Sequence, residues 1–398
     1  MPFETNGVVF DNVAGASSAA AGQTVQSATW NAIHMDYEAA LTQLNSQYAT
    51  VNTNRNILWM NGGLEVWQRG AGASASIAIP GAVERYSADR WYLITDVFQV
   101  SSVSAVAGLV NESYRAAKVQ RGAGQTGTTQ MSFCYPIDTD ELARMRGEKV
   151  TISALLRSGA NWSATNVTVK LYVGEGSPTK AGNNGGNFSS VSTPISVTTA
   201  LTANNSIMVT GISTSTVPTN ITQAELQISW TPTGTAGVDD SITVDDVALE
   251  VVTTTYSEWT IMAYDRVPFA QMLEGCKRFY QKTFPYSVAP ANAIVVDNGA
   301  ADQFTPAYPG EFGAYNGVNE TYINWDLPVE LRRVITDTEY TVYNPVNAAP
   351  GTAYSTFTAT NLAEVGYVSL GPKIFSLKFA ALAGNHSAWA HFTLDAGI

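Results

Sequence analysis

Short runs of alternating polar and apolar residues recur along most of this 398-residue chain, and they restrict it to stacked β-sheets. Val167-Thr168-Val169-Lys170-Leu171-Tyr172-Val173 alternates cleanly, Glu225-Leu226-Gln227-Ile228-Ser229-Trp230 repeats the pattern, and Val150-Thr151-Ile152-Ser153-Ala154-Leu155-Leu156 follows it in part. A period of two puts successive side chains on opposite faces of a strand, so each run has one face to bury. Between the runs lie turn formers such as Gly182-Asn183-Asn184-Gly185-Gly186-Asn187, with no helical pattern among them. Strands that must cover one another in this way form a two-sheet sandwich.

The length exceeds what one ordinary core accommodates, so two domains and a short appendage are expected. Charged residues make up only 14% and hydrophobic ones 45%, a balance that suits strands joined by turns. Lys and Arg total 21 against 33 Asp and Glu, and the net charge of -12 argues against a nucleic-acid backbone as partner. Neutral sugars or protein surfaces fit better. The two cysteines, Cys134 and Cys276, have neither metal-ligand spacing nor a disulfide pattern and read as small buried apolar groups. No run approaches the roughly 20 apolar residues of a membrane span, and the first residues lack the pattern of a secretion signal. Membrane insertion is not expected.

Residues 1 to about 24 are rich in Ala, Gly and Ser and read as an extended arm, either a docking peptide or plain disorder. Ser27 can then cap a helix whose apolar residues, Trp30, Ile33, Tyr37, Leu41, Leu44, Tyr48 and Val51, are spaced by threes and fours. Such a stripe needs a cover. A bundle of identical helices supplies one, as does packing on the chain's own β domain.

The stretch Asn56-Ile57-Leu58-Trp59-Met60-Asn61-Gly62-Gly63-Leu64-Glu65-Val66-Trp67-Gln68-Arg69-Gly70, followed by Tyr86-Ser87-Ala88-Asp89-Arg90-Trp91, resembles the opening strand of a carbohydrate-binding-module-type jelly-roll. The version it resembles recurs in fibre and spike proteins of tailed phages and related particles. Ser241-Ile242-Thr243-Val244-Asp245-Asp246-Val247-Ala248-Leu249-Glu250 is similar to the last strand of that jelly-roll. Glu274-Gly275-Cys276-Lys277-Arg278-Phe279-Tyr280 resembles the signature found after it, on a helix begun by Pro268, and Pro328-Val329-Glu330-Leu331-Arg332 resembles a stretch of the terminal β-sandwich. Trp30-Asn31-Ala32-Ile33 is similar to anchoring segments at the start of phage fibres.

The resemblance implies an all-β chain of two β-sandwich, jelly-roll-like domains behind an N-terminal arm and short helix, with one linking helix. Its divisions are 1–55 for docking and oligomerisation, 56–255 for the jelly-roll, and 256–398 for the linking helix and C-terminal sandwich. Further strands are expected at Tyr322–Leu327, Thr356–Ala359, Lys373–Phe379 and Trp389–Leu394. The family's first and last strands lie side by side and often hold structural calcium, which puts Gly63, Glu65, Asp245 and Asp246 forward as a metal site. Alternatively, Glu65 and one Asp cap turns or pair with Arg69 or Arg90.

Sugar contacts are sought among aromatic residues, because a flat ring stacks on the apolar face of a pyranose. Trp59, Trp67 and Trp91 belong to core strands, whereas Trp162 sits in a turn and is the candidate exposed platform. Tyr308, Phe312 and Tyr315, in the turn-rich stretch 306–316, suit either a binding loop or a contact between subunits. No repeat of 20 to 50 residues, hydrolase motif or P-loop occurs, and His34, His386 and His391 form no ligand set. The expected protein is therefore a non-catalytic virion fibre or spike. It would be a homotrimer, or a pentamer at a fivefold vertex, docked to other virion proteins by its arm and attached to host surface polysaccharide. A structural connector or decoration protein is the alternative, and a polysaccharide-degrading tail spike a weaker one.

Overall fold

The computed structural model describes residues 3–5, 8–10, 56–72, 75–252, 264–293, 320–336, 339–344, 351–355, 360–371, 374–380 and 388–397. The chain divides into two compact units, Met1–Asn54 and Arg55–Ile398. In the first, β1 (Phe3–Thr5) pairs antiparallel with β2 (Val8–Phe10). The helix expected from Ser27 to Val51 lies outside the described residues.

The second unit opens with a β-sandwich, as the alternating runs predict. Its strands are β3 (Ser76–Ile79), β4 (Glu84–Tyr86), β5 (Tyr92–Ile94), β6 (Ser101–Val106), β7 (Ala116–Arg121) and β8 (Met131–Ile137). They continue as β9 (Val150–Ser158), β10 (Asn166–Glu175), β11 (Ser189–Ala200), β12 (Ser206–Ile212), β13 (Gln223–Trp230) and β14 (Ser241–Val251), with a short helix α1 (Thr139–Ala143) after β8. One six-stranded sheet has the order β11-β10-β13-β8-β5-β4 and the other β12-β9-β14-β7-β6-β3, with antiparallel neighbours throughout. Alternation decides what meets between them. Val150, Ile152, Ala154 and Leu156 of β9 turn inward, as do Leu226 and Ile228 of β13, and all are buried in one continuous core. Each fully buried aliphatic side chain contributes about 1.5–3 kcal/mol.

The outer face of β13 is covered as well. Residues 176–188, between β10 and β11, fold over it, and Tyr172, Ala181 and Phe188 form a small apolar cluster there. The Ala181 amide donates to Glu225 at 2.9 Å, and Gln227 Nε2 donates to the Gly182 carbonyl at 2.6 Å.

After β14 comes the linking helix α2 (Phe269–Lys277), with Pro268 at its N-cap as the sequence predicts. Phe279 and Tyr280 lie beyond its end, and Tyr280 opens β15 (Tyr280–Lys282). Met272 and Cys276 of α2 pack with Val66 and Val267, against partly buried Trp59. Gly275 permits this approach, since a Cβ there would lie 2.9 Å from the Trp59 ring. The remaining strands are β16 (Glu320–Asp326), β17 (Tyr340–Tyr343), β18 (Thr352–Ser355), β19 (Thr360–Gly371), β20 (Ile374–Ala380), β21 (Ala388–Trp389) and β22 (His391–Asp395). They form a three-stranded sheet, β15-β22-β17, and a five-stranded one, β16-β20-β19-β18-β21. Phe375, Phe392, Leu394, Val342 and Ile335 share a second core. The strand expected at 356–359 lies outside the described residues. Among those described, no helix is long and apolar enough to cross a membrane.

Candidate functional site

The stretch 56–70 does not form the opening strand its sequence suggested; it is a knot of turns tied by asparagines. Asn56 accepts from the Leu58 and Leu249 amides, both at 3.0 Å, which holds this segment beside β14. Asn61, with φ of 89°, accepts from the Val66 amide at 2.8 Å and donates to the Asp89 carbonyl at 2.7 Å. The left-handed backbone suits asparagine better than most residues. Side chains thus take over the backbone pairing that a strand ladder would supply. Trp67 and Trp91 are buried, as expected, and their indole N–H groups donate to Leu64 and Asn61 carbonyls at 2.7 and 2.8 Å.

The stretches set apart by sequence converge on one joint. Arg90 forms a buried ion pair with Glu141 at 3.0 Å, and Tyr135 donates to the same carboxylate at 2.8 Å. The Arg90 guanidinium also lies 3.7 Å from the centre of the Phe279 ring, and Arg332 lies 5.4 Å from that ring on an Asp138 partner at 3.4 Å. Arg332 N–H donates to the Arg278 carbonyl at 2.9 Å. Residues 86–91, 274–280 and 328–332 therefore make a single structural contact between the sandwich and the segments C-terminal to it.

Glu65, Asp245 and Asp246 are brought together as the resemblance implied, but an arginine joins them. A bulge in β14 between Asp245 and Ala248 sets Asp246 at φ of 43° and re-aims its carboxylate. Arg266 donates to Glu65 at 2.9 Å and to both Asp246 oxygens at 2.9 and 2.8 Å. Asp245 is taken by Ser113 Oγ at 2.7 Å and the Leu109 amide at 2.6 Å. Gly63 faces the Tyr264 ring, whose hydroxyl would lie 3.1 Å from a Cβ there. Burial, with the nearby Asp245 charge, pushes the Asp246 carboxyl up to about 6, and burial raises Glu65. Calcium takes six to eight oxygens, and here the carboxylate oxygens already receive N–H and O–H donors. The residues present do not fit the ion. The partner is neither Arg69 nor Arg90 but one that sequence spacing gave no means of finding.

A cavity of about 680 Å³ opens beside the joint. Its wall includes Arg69, Glu84 and Tyr86 from the sandwich side and Tyr280, Tyr343 and Asp395 from the later strands. Arg69 forms the floor. Its guanidinium lies 4.5 Å from the Tyr86 ring centre and 4.2 Å from that of Tyr280, and it pairs with Asp395 at 2.9 Å and Asp89 at 3.4 Å. Burial raises the Tyr86 hydroxyl to about 12 and the Asp89 carboxyl to about 6. Glu339, also on the wall, is held by Arg333 at about 2. Tyr86 and Tyr343 keep part of their surface exposed, next to the half-exposed carboxylates of Glu84 and Asp395.

Trp162 is not an exposed platform. It is 8% exposed, lies in the sandwich core 6.1 Å from the Trp230 ring, and donates its indole N–H to the Leu201 carbonyl at 3.0 Å. A turn position did not keep it in solvent, because a partner for its one polar atom was at hand. Tyr308, Phe312 and Tyr315 lie outside the described residues. Tyr86 and Tyr280 fall within the sequence motifs but carry no predicted role, and nothing in the sequence marks Tyr343 or Asp395.

No protein-family model and no curated protein matches the chain. Among solved structures it is similar to the enzymatically active domain of bacteriophage CBA120 tailspike protein 4, at 12% identity and a TM-score of 0.28, over 41% of this chain and 19% of that one. It is similar to the CBM22-1 xylan-binding domain of Paenibacillus barcinonensis Xyn10C, at 11% identity and a TM-score of 0.29, over 48% of this chain and 93% of that domain. A third similarity, at 14% identity and a TM-score of 0.28, is to a CBM22 xylan-binding domain covered in full by 44% of this chain.

Proposed function

We propose that this chain is a non-catalytic attachment protein on the surface of a phage or phage-like particle, and that it binds host surface polysaccharide in the cavity beside the joint. The observation that carries this reading is the pairing of partly exposed Tyr86 and Tyr343 with Glu84 and Asp395 around one cavity. The Tyr343 ring offers a stacking surface for a pyranose, while the Tyr86 ring, already under Arg69 and Lys180, shapes the wall, and the carboxylates with Thr341 offer partners for its hydroxyls. Among the wall's carboxylates, Glu339 is kept ionised by Arg333 and so offers acceptors to sugar hydroxyls rather than a proton to a leaving group. The particle itself is inferred from the sequence stretches at 56–91, 241–250, 274–280 and 328–332, and the apolar stripe from Trp30 to Val51 supports self-association, with a homotrimer the default for such fibres and a pentamer the alternative.

The test uses the labelled full-length protein on host cells with and without their surface polysaccharide. Polysaccharide-dependent binding is expected, and Tyr343→Ala should weaken it by about 1 kcal/mol, roughly fivefold in affinity. Equal binding to stripped and intact cells overturns the proposal. One observation favours a purely structural connector: the residues that carry the resemblance are spent on the joint between sandwich and later strands. Under that reading the polysaccharide makes no difference.

A further inference from the structure

The acidic centre at the end of the sandwich lies apart from the cavity and does a different job. It gathers three carboxylates, Glu65 from the opening knot and Asp245 and Asp246 from the bulge of β14. The Glu65 and Asp246 side chains are only 11% and 10% exposed, so water does little to screen them from each other. Such a cluster requires a cation within contact distance. Arg266 supplies one with a geometry a point charge could not match: one guanidinium nitrogen on Glu65 and the other on both oxygens of Asp246. The Tyr264 ring, 5.2 Å from the guanidinium, flanks it, and Asp245 is closed off by Ser113 and the Leu109 amide.

We propose that Arg266 is a counter-ion built into the chain, which closes the sandwich in place of a divalent metal and whose removal turns the same carboxylates into a calcium site. Its position gives this a second consequence. Arg266 stands two residues before Pro268, the N-cap of α2, in the segment that leads from β14 to that helix. Neutralising the centre and fastening α2 to the sandwich are therefore one event. A soluble ion could do the first but not the second. Without the guanidinium, Glu65 and Asp246 regain free oxygens beside the space that the arginine side chain vacates. That is a donor set a hard, geometrically tolerant cation accepts and that magnesium, with its strict octahedral demand, takes less well.

The experiment compares full-length wild type, Arg266→Ala and Arg266→Lys by thermal unfolding in EDTA, in calcium chloride and in magnesium chloride, with calcium binding measured by calorimetry. Wild type should bind no calcium and keep the same Tm in all three. Arg266→Ala should lose roughly 5–10 °C in EDTA, recover most of it with calcium but little with magnesium, and bind one calcium ion. Arg266→Lys keeps a cation and should take up no calcium. If Arg266→Ala does not fold in EDTA, refolding in calcium alone supports the proposal, and failure in both overturns it. Calcium uptake by wild type, or a fall in its Tm on chelation, also overturns it.

Discussion

The two faces of β13 are equally buried and built on opposite principles. Inward, Leu226 and Ile228 meet the second sheet and need nothing but shape. Outward, Glu225 and Gln227 are just as inaccessible under residues 176–188, and every contact there is directional. Glu225 receives the Tyr92 hydroxyl at 2.7 Å, Gln227 Nε2 at 2.8 Å and the Ala181 amide at 2.9 Å. Gln227 Oε1 is buried with no hydrogen-bond partner. The lesson concerns cost. An apolar face stabilises in proportion to area, whereas a covered polar face returns little beyond what it loses in desolvation, and in exchange fixes one loop in one place.

Mutations can test this contrast, and the largest effect belongs to the apolar side. Leu226→Ala should cost about 2–5 kcal/mol in denaturant unfolding, from lost transfer energy and the cavity left behind. A loss below 1 kcal/mol would mean that the two faces are not different in kind. The polar face should show itself through pH. Burial pushes the Glu225 carboxyl up to about 7, above its ordinary value near 4.3. The folded state therefore holds this proton more tightly than the unfolded chain. The contribution is complete below about pH 4.3 and is lost as pH rises through about 7, to a ceiling of roughly 3–4 kcal/mol. Stability measured from pH 4.5 to 7.5 should fall in wild type and fall less in Glu225→Gln, and parallel curves would remove Glu225 as the cause. The smallest effect is at the rim. Lys180 lies 4.7 Å from the ring centres of both Tyr86 and Tyr92, and Lys180→Ala should shift stability by about 0.5–1 kcal/mol.

Strand β13 also marks how far the sequence can be read. Alternation at 225–230 was enough to find the strand and its core face, because a period of two leaves only one way to bury Leu226 and Ile228. The same alternation suggests a wet outer face, and nothing in it announces that a glycine-rich turn 40 residues upstream will close over Glu225. Asn56 and Asn61 misled for a related reason: a run of apolar residues between them reads as a strand unless the amides' own bonds are known. The aspartates of β14 and Glu65 were found from a resemblance, while Arg266 escaped because its partners are set by the folding of a connecting segment. The cavity escaped altogether, since Tyr86, Tyr280, Tyr343 and Asp395 come from four strands that meet only in three dimensions.

The joint at Arg90 and Phe279 has a consequence for synthesis. When a ribosome has finished β14, both sheets of the sandwich can pair, yet Arg266, Phe279 and Arg332 have still to be made. Until they emerge, Glu65 and Asp246 lack their cation, and Arg90 and Trp59 lack the ring and helix that cover them. A domain that begins to fold as it leaves the ribosome would thus wait, open at one end, for residues far along the chain to complete it.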